Sequence, residues 1–200
     1  MPIYKDKNIL FIHVPKTAGT TIETALGGRS KEHLYDASGK LPDQIVTRQH
    51  LFASEYRKYT GDAEYDNLYK FSVVRNPYDR LVSAYHFISK NKYVPQKIKN
   101  MSFDEFVKAT LPMSDIERRY LFDGHLEPQI KYIDEDNIKI FKFEKLKSCF
   151  TSLNKKFGPL VFEHHLKSDR RPWKKYYTPE LKELVYNFYK EDFDRFGYTL

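Results

Sequence analysis

Short apolar runs alternate with helical patterns along this chain. Residues 8–14 form a nearly continuous apolar run, which is typical of a strand buried on both faces of a parallel sheet. Residues 68–75 predict a second strand. Residues 137–143 alternate, are rich in β-branched side chains and predict a third. Because helical patterns separate these strands, the sequence predicts a layered α/β fold with a parallel sheet.

Each predicted strand is followed by a stretch with helical spacing. Residues 20–26 begin a helix that Gly27 and Gly28 end. Asn76 and Pro77 predict an N-cap and a first helical position. Further helices are predicted at residues 49–59, from Ser102 onward, at 146–157 and, as the last, at 178–188. Loops or turns are predicted at residues 29–47, 61–67, 90–100 and 164–175, and residues 118–132 predict no clear element.

Composition narrows the class of protein. Two hundred residues fit one domain, which we place at residues 1–200. The lone Cys149 excludes an intrachain disulfide and fits a reducing compartment. No apolar run of about 20 residues and no signal-peptide pattern occurs, so we expect a cytoplasmic protein without a membrane span. The formal net charge of +7 favours anionic partners, among them nucleotides, nucleic acid and acidic glycans.

The loop after the first predicted strand has the features of an anion site. A helix N-terminus presents free N–H groups and the positive end of the helix dipole. Ala18 and Gly19 are small enough to let the backbone approach an anion, Thr20 and Thr21 add hydroxyl donors, and Lys16 adds a positive charge. The full loop reads Pro15, Lys16, Thr17, Ala18, Gly19, Thr20 and Thr21.

This loop is not a Walker A loop, which needs a Gly-Lys-Ser/Thr sequence that occurs nowhere in the chain. That absence speaks against an ATPase, a GTPase or a nucleotide kinase. The alternative to an anion site is an ordinary strand–turn–helix corner with a surface lysine.

A second motif follows the second predicted strand. Arg75 lies at the carboxyl end of this strand, which is the usual ligand edge of an open α/β sheet. Ser83 lies eight residues later on the next helix, and the two side chains could converge on one phosphate. Alternatively, Arg75 caps the sheet edge and Ser83 is a small packing residue.

Together the two motifs resemble those of the sulfotransferases that use 3′-phosphoadenosine 5′-phosphosulfate (PAPS), most closely the carbohydrate sulfotransferase branch and its small bacterial relatives. The resemblance implies a P-loop-like three-layer fold with a central parallel sheet flanked by helices. It also implies that the first motif holds the 5′-phosphosulfate of the donor. Arg75 and Ser83 would then hold the 3′-phosphate.

The resemblance also implies a reaction, in which a sulfuryl group passes from PAPS to an acceptor hydroxyl or amine and leaves 3′-phosphoadenosine 5′-phosphate (PAP). The basic chain and the family branch favour a hydroxyl on a carbohydrate. Lys16 suits the stabilisation of the leaving phosphate oxygen. We expect His50 to be the base, because related enzymes place one there, or else a solvated or capping histidine. His125 is the second candidate, for the base or for positioning the acceptor, and the alternative is that it merely caps a turn. No metal is expected, since the sequence has no spaced His/Cys cluster.

The basic segment at residues 167–177 contains the last candidates for donor binding. In related enzymes such a loop closes over the 3′-phosphate and the adenine. Basic and aromatic residues would also suit a nucleic-acid patch, and a solvated loop is the plain alternative. The competing functions are thus a P-loop phosphotransferase and a non-catalytic module that binds anions or nucleic acid, although we expect no nucleic-acid partner. The candidates in this segment are Lys167, Ser168, Arg170 and Tyr176.

Overall fold

The computed structural model describes residues 2–28, 46–161 and 170–199. Strands β2, β3 and β4 are parallel to one another, and the short β1, which the sequence did not predict, pairs antiparallel with β2. The α/β fold with a central, mostly parallel sheet is therefore confirmed. The sheet order follows the chain, with β1 (Ile3–Tyr4), β2 (Ile9–Ile12), β3 (Tyr69–Val74) and β4 (Ile138–Lys142).

Helices surround this sheet, and none of the described ones is long and apolar enough to cross a bilayer. Short 3₁₀ turns occur at Lys5–Lys7, Arg48–His50, Phe143–Lys145 and Trp173–Tyr176. The described α-helices are α1 (Gly19–Leu26), α2 (Ala53–Thr60), α3 (Asp62–Asn67), α4 (Pro77–Ile88), α5 (Gln96–Lys99), α6 (Phe103–Thr110), α7 (Asp115–Leu121), α8 (Gln129–Tyr132), α9 (Leu146–Phe157), α10 (Pro179–Phe188) and α11 (Lys190–Phe196).

Both faces of the sheet are covered, because successive residues of a strand point to opposite faces. Ile9 and Phe11 of β2 pack against α1 and α9. Leu10 and Ile12 pack against α2 and α3. The result is the predicted three-layer arrangement. A further apolar cluster joins α4, α6, α10 and α11.

Local caps fix where the predicted helices begin. The side chain of Asn76 accepts the amide N–H groups of Tyr78 and Asp79 (3.0 and 3.3 Å), with proline at the first helical position. Ser102 and Glu105 form a capping box at the start of α6. These two predicted helix starts are therefore confirmed, and each uses a side chain to satisfy N–H groups that the helix leaves unbonded.

Several predicted boundaries differ from the observed ones. The turn predicted at residues 61–67 is mostly the helix α3, whose Tyr65 is fully buried. Tertiary packing stabilises such a short helix, which its own sequence could not. The segment predicted as a basic loop at 90–100 contains α5, and α11 follows the helix predicted as the last. Most of the predicted loop at 29–47 lies outside the described residues.

Parallel pairing brings the two predicted motifs together. β2 and β3 pair with Ile9 opposite Tyr69 and Ile12 opposite Ser72. The loop after β2 and Arg75 after β3 therefore leave the sheet at the same edge. That edge is where an open α/β sheet binds its ligands.

Candidate functional site

The loop between β2 and α1 has an unusual backbone. Lys16 and Ala18 both adopt positive φ angles, 69° and 71°, which non-glycine residues rarely do. The hydroxyl of Thr17 is buried and donates to the carbonyl of Val14 at 2.8 Å, so it holds the loop in shape. Pro15 is also buried, whereas Lys16 is partly exposed. Strained backbone of this kind is common at ligand sites.

Gly19 opens α1 at a position where no side chain fits. A Cβ atom there would lie 1.8 Å from Nε2 of His13. The His13 ring is buried, with its Nδ1 2.9 Å from Oε1 of Glu23 and 2.7 Å from Nε2 of Gln49. As a helix carboxylate, Glu23 would by default face solvent, but it is buried against His13. Thr20 and Thr21 follow on the first turn of α1.

Arg75 connects the second motif to the first. One of its nitrogens donates to the carbonyl oxygen of Lys16 at 3.0 Å, and two others donate to one carboxylate oxygen of Asp79 at 2.8 and 2.6 Å. The other carboxylate oxygen of Asp79 accepts a bond from Arg170. Burial lowers the pKa of Arg75, and the nearby Asp79 opposes that effect. Two guanidinium groups therefore lie beside the loop between β2 and α1.

One face of α4 collects the remaining candidates around Ser83. Residues three and four positions apart on a helix are neighbours, so Asp79, His86 and Phe87 all adjoin Ser83. Each of these three residues is in contact with at least one residue of the predicted site. The contacts therefore converge on the face of α4 that carries Ser83. The contacts are Arg75 and Arg170 with Asp79, the Tyr176 hydroxyl with His86 Nε2 at 2.7 Å, and Lys16 Nζ with the Phe87 ring at 4.2 Å.

His50 lies beside a carboxylate that the sequence analysis did not identify. Its Nδ1 is 2.9 Å from Oδ2 of Asp123. The same carboxylate accepts the backbone N–H of Thr47 at 2.6 Å and the Thr47 hydroxyl at 3.0 Å. Burial would raise the pKa of Asp123, but the charge and hydrogen bond of His50 outweigh it and lower this pKa well below its usual range. Asp123 has a φ of 48°, and its neighbour Gly124 has a φ of 75°.

His125 completes a row of rings that runs from His50 to Lys16. The His125 ring contacts the His50 ring edge-on, with 4.9 Å between centroids, and stacks on the Phe87 ring at 4.6 Å. Lys16 lies over that same Phe87 ring. His125 is buried, and burial holds its pKa well below the usual range of histidine. Both predicted base candidates are therefore at the same edge of the sheet as the loop between β2 and α1.

The structure thus brings together most of the predicted site. Lys167 and Ser168 are the exceptions, because they lie outside the described residues. His50, Asp123 and His125 also form a group whose potential ligand atoms all lie within 4.8 Å of one another. Sequence spacing gave no sign of this group, since Asp123 lies 73 residues after His50.

Comparison with known proteins gives one finding. A family model described as "Sulfotransferase family" matches residues 2–199, which is essentially the whole chain. No curated protein and no solved structure gives a significant match. The match extends well beyond the two motifs from which the resemblance was first seen. This chain belongs to the sulfotransferase family, whose members transfer a sulfuryl group.

Proposed function

We propose that the protein transfers a sulfuryl group from PAPS to a hydroxyl group on a carbohydrate, with His50 as the base. The convergence of contacts around Ser83 carries this proposal. Arg75 and Arg170 meet at Asp79, one turn before Ser83, and Lys16 and Tyr176 reach the residues one turn after it. A donor with two separate phosphate-containing groups needs such a paired set of cations.

The donor's two ends fit the two motifs. The 5′-phosphosulfate would lie at the N-terminus of α1, where backbone N–H groups and the hydroxyls of Thr20 and Thr21 can donate to it. The 3′-phosphate would lie beside Ser83, within reach of Arg75 and Arg170. The Asp79 carboxylate keeps both guanidinium groups in place before the donor arrives.

Sulfuryl transfer resembles phosphoryl transfer, in which charge grows on the leaving oxygen. Lys16 and the N-terminus of α1 would stabilise that charge on PAP. This charge stabilisation comes from the chain itself, so the transfer as proposed needs no metal ion.

The pair of His50 and Asp123 supplies a base. If the carboxylate accepts the Nδ1 proton, the lone pair of His50 is on Nε2, ready to take a hydroxyl proton. Asp123 would also stabilise the imidazolium that forms, in the manner of a catalytic triad carboxylate. Because His125 touches both His50 and Phe87, it would position the acceptor next to that base.

A carbohydrate acceptor is supported by the resemblance to the carbohydrate branch and by two properties of the chain. The net charge of +7 suits an anionic glycan. The Phe87 side chain is 42% exposed beside His125, which offers an apolar surface to a sugar ring.

Calorimetry with PAP, ATP and single-stranded DNA tests the donor. We expect PAP to bind most tightly, and Arg75→Ala to weaken PAP binding by about 100-fold, which is the loss of one or two charge-assisted hydrogen bonds. Arg57→Ala is the matched control, because Arg57 lies at the opposite end of the sheet and bonds to three carboxylates there. Equal affinities for PAP and ATP that ignore Arg75→Ala would contradict the proposal, and preferred DNA binding would favour the nucleic-acid alternative.

Turnover of labelled PAPS against a panel of carbohydrates, phenols and amines tests the base and the acceptor. We expect His50→Ala to lower kcat by about 100- to 10,000-fold, the usual range for a general base, without changing PAP affinity. Asp123→Asn should lower kcat less, because the base remains. Full turnover by His50→Ala would remove His50 from the mechanism, and turnover only with phenols or amines would refute the carbohydrate.

A further inference from the structure

We propose that His50, Asp123 and His125 bind one divalent transition-metal ion of the zinc type, and that this ion switches the transferase off. The site goes beyond the proposed function, and metal binding itself does not depend on that function. Only the inhibition rests on His50 being the base.

The three side chains offer the ligand atoms that zinc prefers. Two imidazole nitrogens and one carboxylate oxygen lie within 4.8 Å of one another, and His50 Nδ1 is already 2.9 Å from Asp123 Oδ2. A zinc ion binds such atoms at about 2.0–2.2 Å, so its ligands must lie a little over 3 Å apart. Small side-chain movements would reach that spacing. Three protein ligands leave a fourth position open to water, as in zinc sites that are not fully closed.

The surroundings already orient two of the three ligands. His125 Nδ1 lies 2.8 Å from the carbonyl oxygen of Phe122, so this nitrogen carries the proton and Nε2 carries the lone pair. Metal-binding histidines usually make this outer hydrogen bond. The Asp123 carboxylate is held by the N–H and hydroxyl of Thr47. His125 is buried and Asp123 partly exposed, which gives the ion a route from solvent.

Metal binding and base catalysis exclude each other at this site. The ion would take the place of the proton between His50 Nδ1 and Asp123 Oδ2, and the neutral ring would then carry its one proton on Nε2. No lone pair would be left on Nε2 to accept the hydroxyl proton. His50 could then neither turn freely nor develop the positive charge that proton acceptance requires. Lys16 contacts the far end of the same row of rings, and its charge opposes a second cation. We therefore expect weaker binding than in a closed structural zinc site.

Competition for Zn²⁺ against a chromophoric chelator, in phosphate-free buffer and without donor, tests the site. We expect wild-type protein to take up one equivalent more Zn²⁺ than either Asp123→Asn or His125→Ala. His86→Ala is the matched control, since it removes a histidine outside the group, and it should bind as wild type does. Co²⁺ in place of Zn²⁺ should give a visible absorption band in wild type, without the sulfur-to-metal band of a cysteine ligand.

The possible outcomes separate this proposal from the proposed function. Zinc uptake that is the same in all variants, or absent in wild type, would refute the metal site and leave the donor experiment untouched. Two different ligand variants are used so that misfolding of one does not decide the result. If Zn²⁺ binds as expected but does not lower turnover, the metal site stands, and either the inhibition or the role of His50 is wrong.

Discussion

At the carboxyl end of strand β3, the guanidinium groups of Arg75 and Arg170 share the carboxylate of Asp79. At the opposite end of the sheet, the single guanidinium group of Arg57 donates to three carboxylates. These are Asp62 at 2.9 Å, Asp66 at 2.8 Å and Glu135 at 3.1 Å. Among the described residues, two cations therefore contact one carboxylate at the first end, and one cation contacts three carboxylates at the second.

Two lysines at these two ends of the sheet also differ in burial and in their described contacts. Lys70, near the start of β3, is buried and donates to the carbonyl oxygens of Tyr65 at 2.9 Å and Leu68 at 3.1 Å. Burial lowers the pKa of Lys70, although Asp66 opposes this shift. Lys16, beyond the end of β2, lies over the Phe87 ring in a loop with positive φ angles.

The difference distinguishes charges whose contacts stabilise the fold from charges that the proposed function assigns to donor binding. Where carboxylates and carbonyls of the chain satisfy each cation, an incoming anion gains little by displacing them. Where two guanidinium groups share one carboxylate beside a helix N-terminus, both can also donate to an incoming anion that the N–H groups of the helix attract. The basic residues of this chain therefore differ in their surroundings, and the net charge of +7 alone could not reveal which of them lie at the candidate site.

The largest difference in turnover between the two ends of the sheet should come from removing Lys16. Lys16→Ala should lower turnover of labelled PAPS by about 100- to 1000-fold, the usual cost of losing one donor to a developing charge. Lys139→Ala removes an exposed lysine next to the Arg57 carboxylates and should leave turnover unchanged. Similar losses in both variants would mean that overall positive charge, and not the phosphate loop, drives donor binding.

Two glycine substitutions should separate stability from binding. Gly19→Ala brings a Cβ atom against His13, and Gly61→Ala places a side chain at φ 83° and ψ 155°, a backbone region almost restricted to glycine. Each should cost about 2 kcal/mol of unfolding free energy, measured by urea denaturation. Only Gly19→Ala should also weaken PAP binding, because it displaces the N-terminus of α1.

Calorimetry on the folded fraction of each glycine variant completes that test. Gly61→Ala should bind PAP as wild type does. Equal loss of PAP affinity in the two variants would show that stability, and not the position of α1, controls the site.

The elements that the sequence predicted best are those with strong local signals. The buried run at residues 8–14, the Asn76 cap and the Ser102 capping box are all local patterns, and each was found where predicted. A second capping box, with Ser114 and Glu117 at the start of α7, could have been read in the same way. The helix α3 could not, because burial of its Tyr65 against other elements stabilises it.

The residues of the candidate site also fall into two groups, those with a local sequence signal and those that only folding brings together. Lys16 and Arg75 were predictable, since each follows a strand whose place in a parallel sheet could be anticipated. Asp123 was not, because only the folded chain brings it to His50, 73 residues away. The pairing of Gly19 with a buried His13 is also tertiary, as is the pairing of that histidine with Glu23. The only local sequence signal near Asp123 was the Asp-Gly pair that it forms with Gly124. Such a pair favours a turn, and both residues do adopt positive φ angles.

The smallest expected effect comes from Cys149, which reports on one side of the sheet only. Its thiol is buried in the cluster that includes Ile22 and Leu26 of α1, and burial raises its pKa to about 12. At pH 8 only about one thiol in ten thousand is ionised, so a thiol reagent should react in denaturant and hardly at all with folded wild type.

Gly19→Ala displaces α1 and should speed the reaction of Cys149 with the reagent several-fold. Gly61→Ala, which perturbs helices on the other face, should speed it less at equal overall stability. Equal rates would show that the two faces of the sheet open together, and the two ends of the sheet would then differ in charge alone.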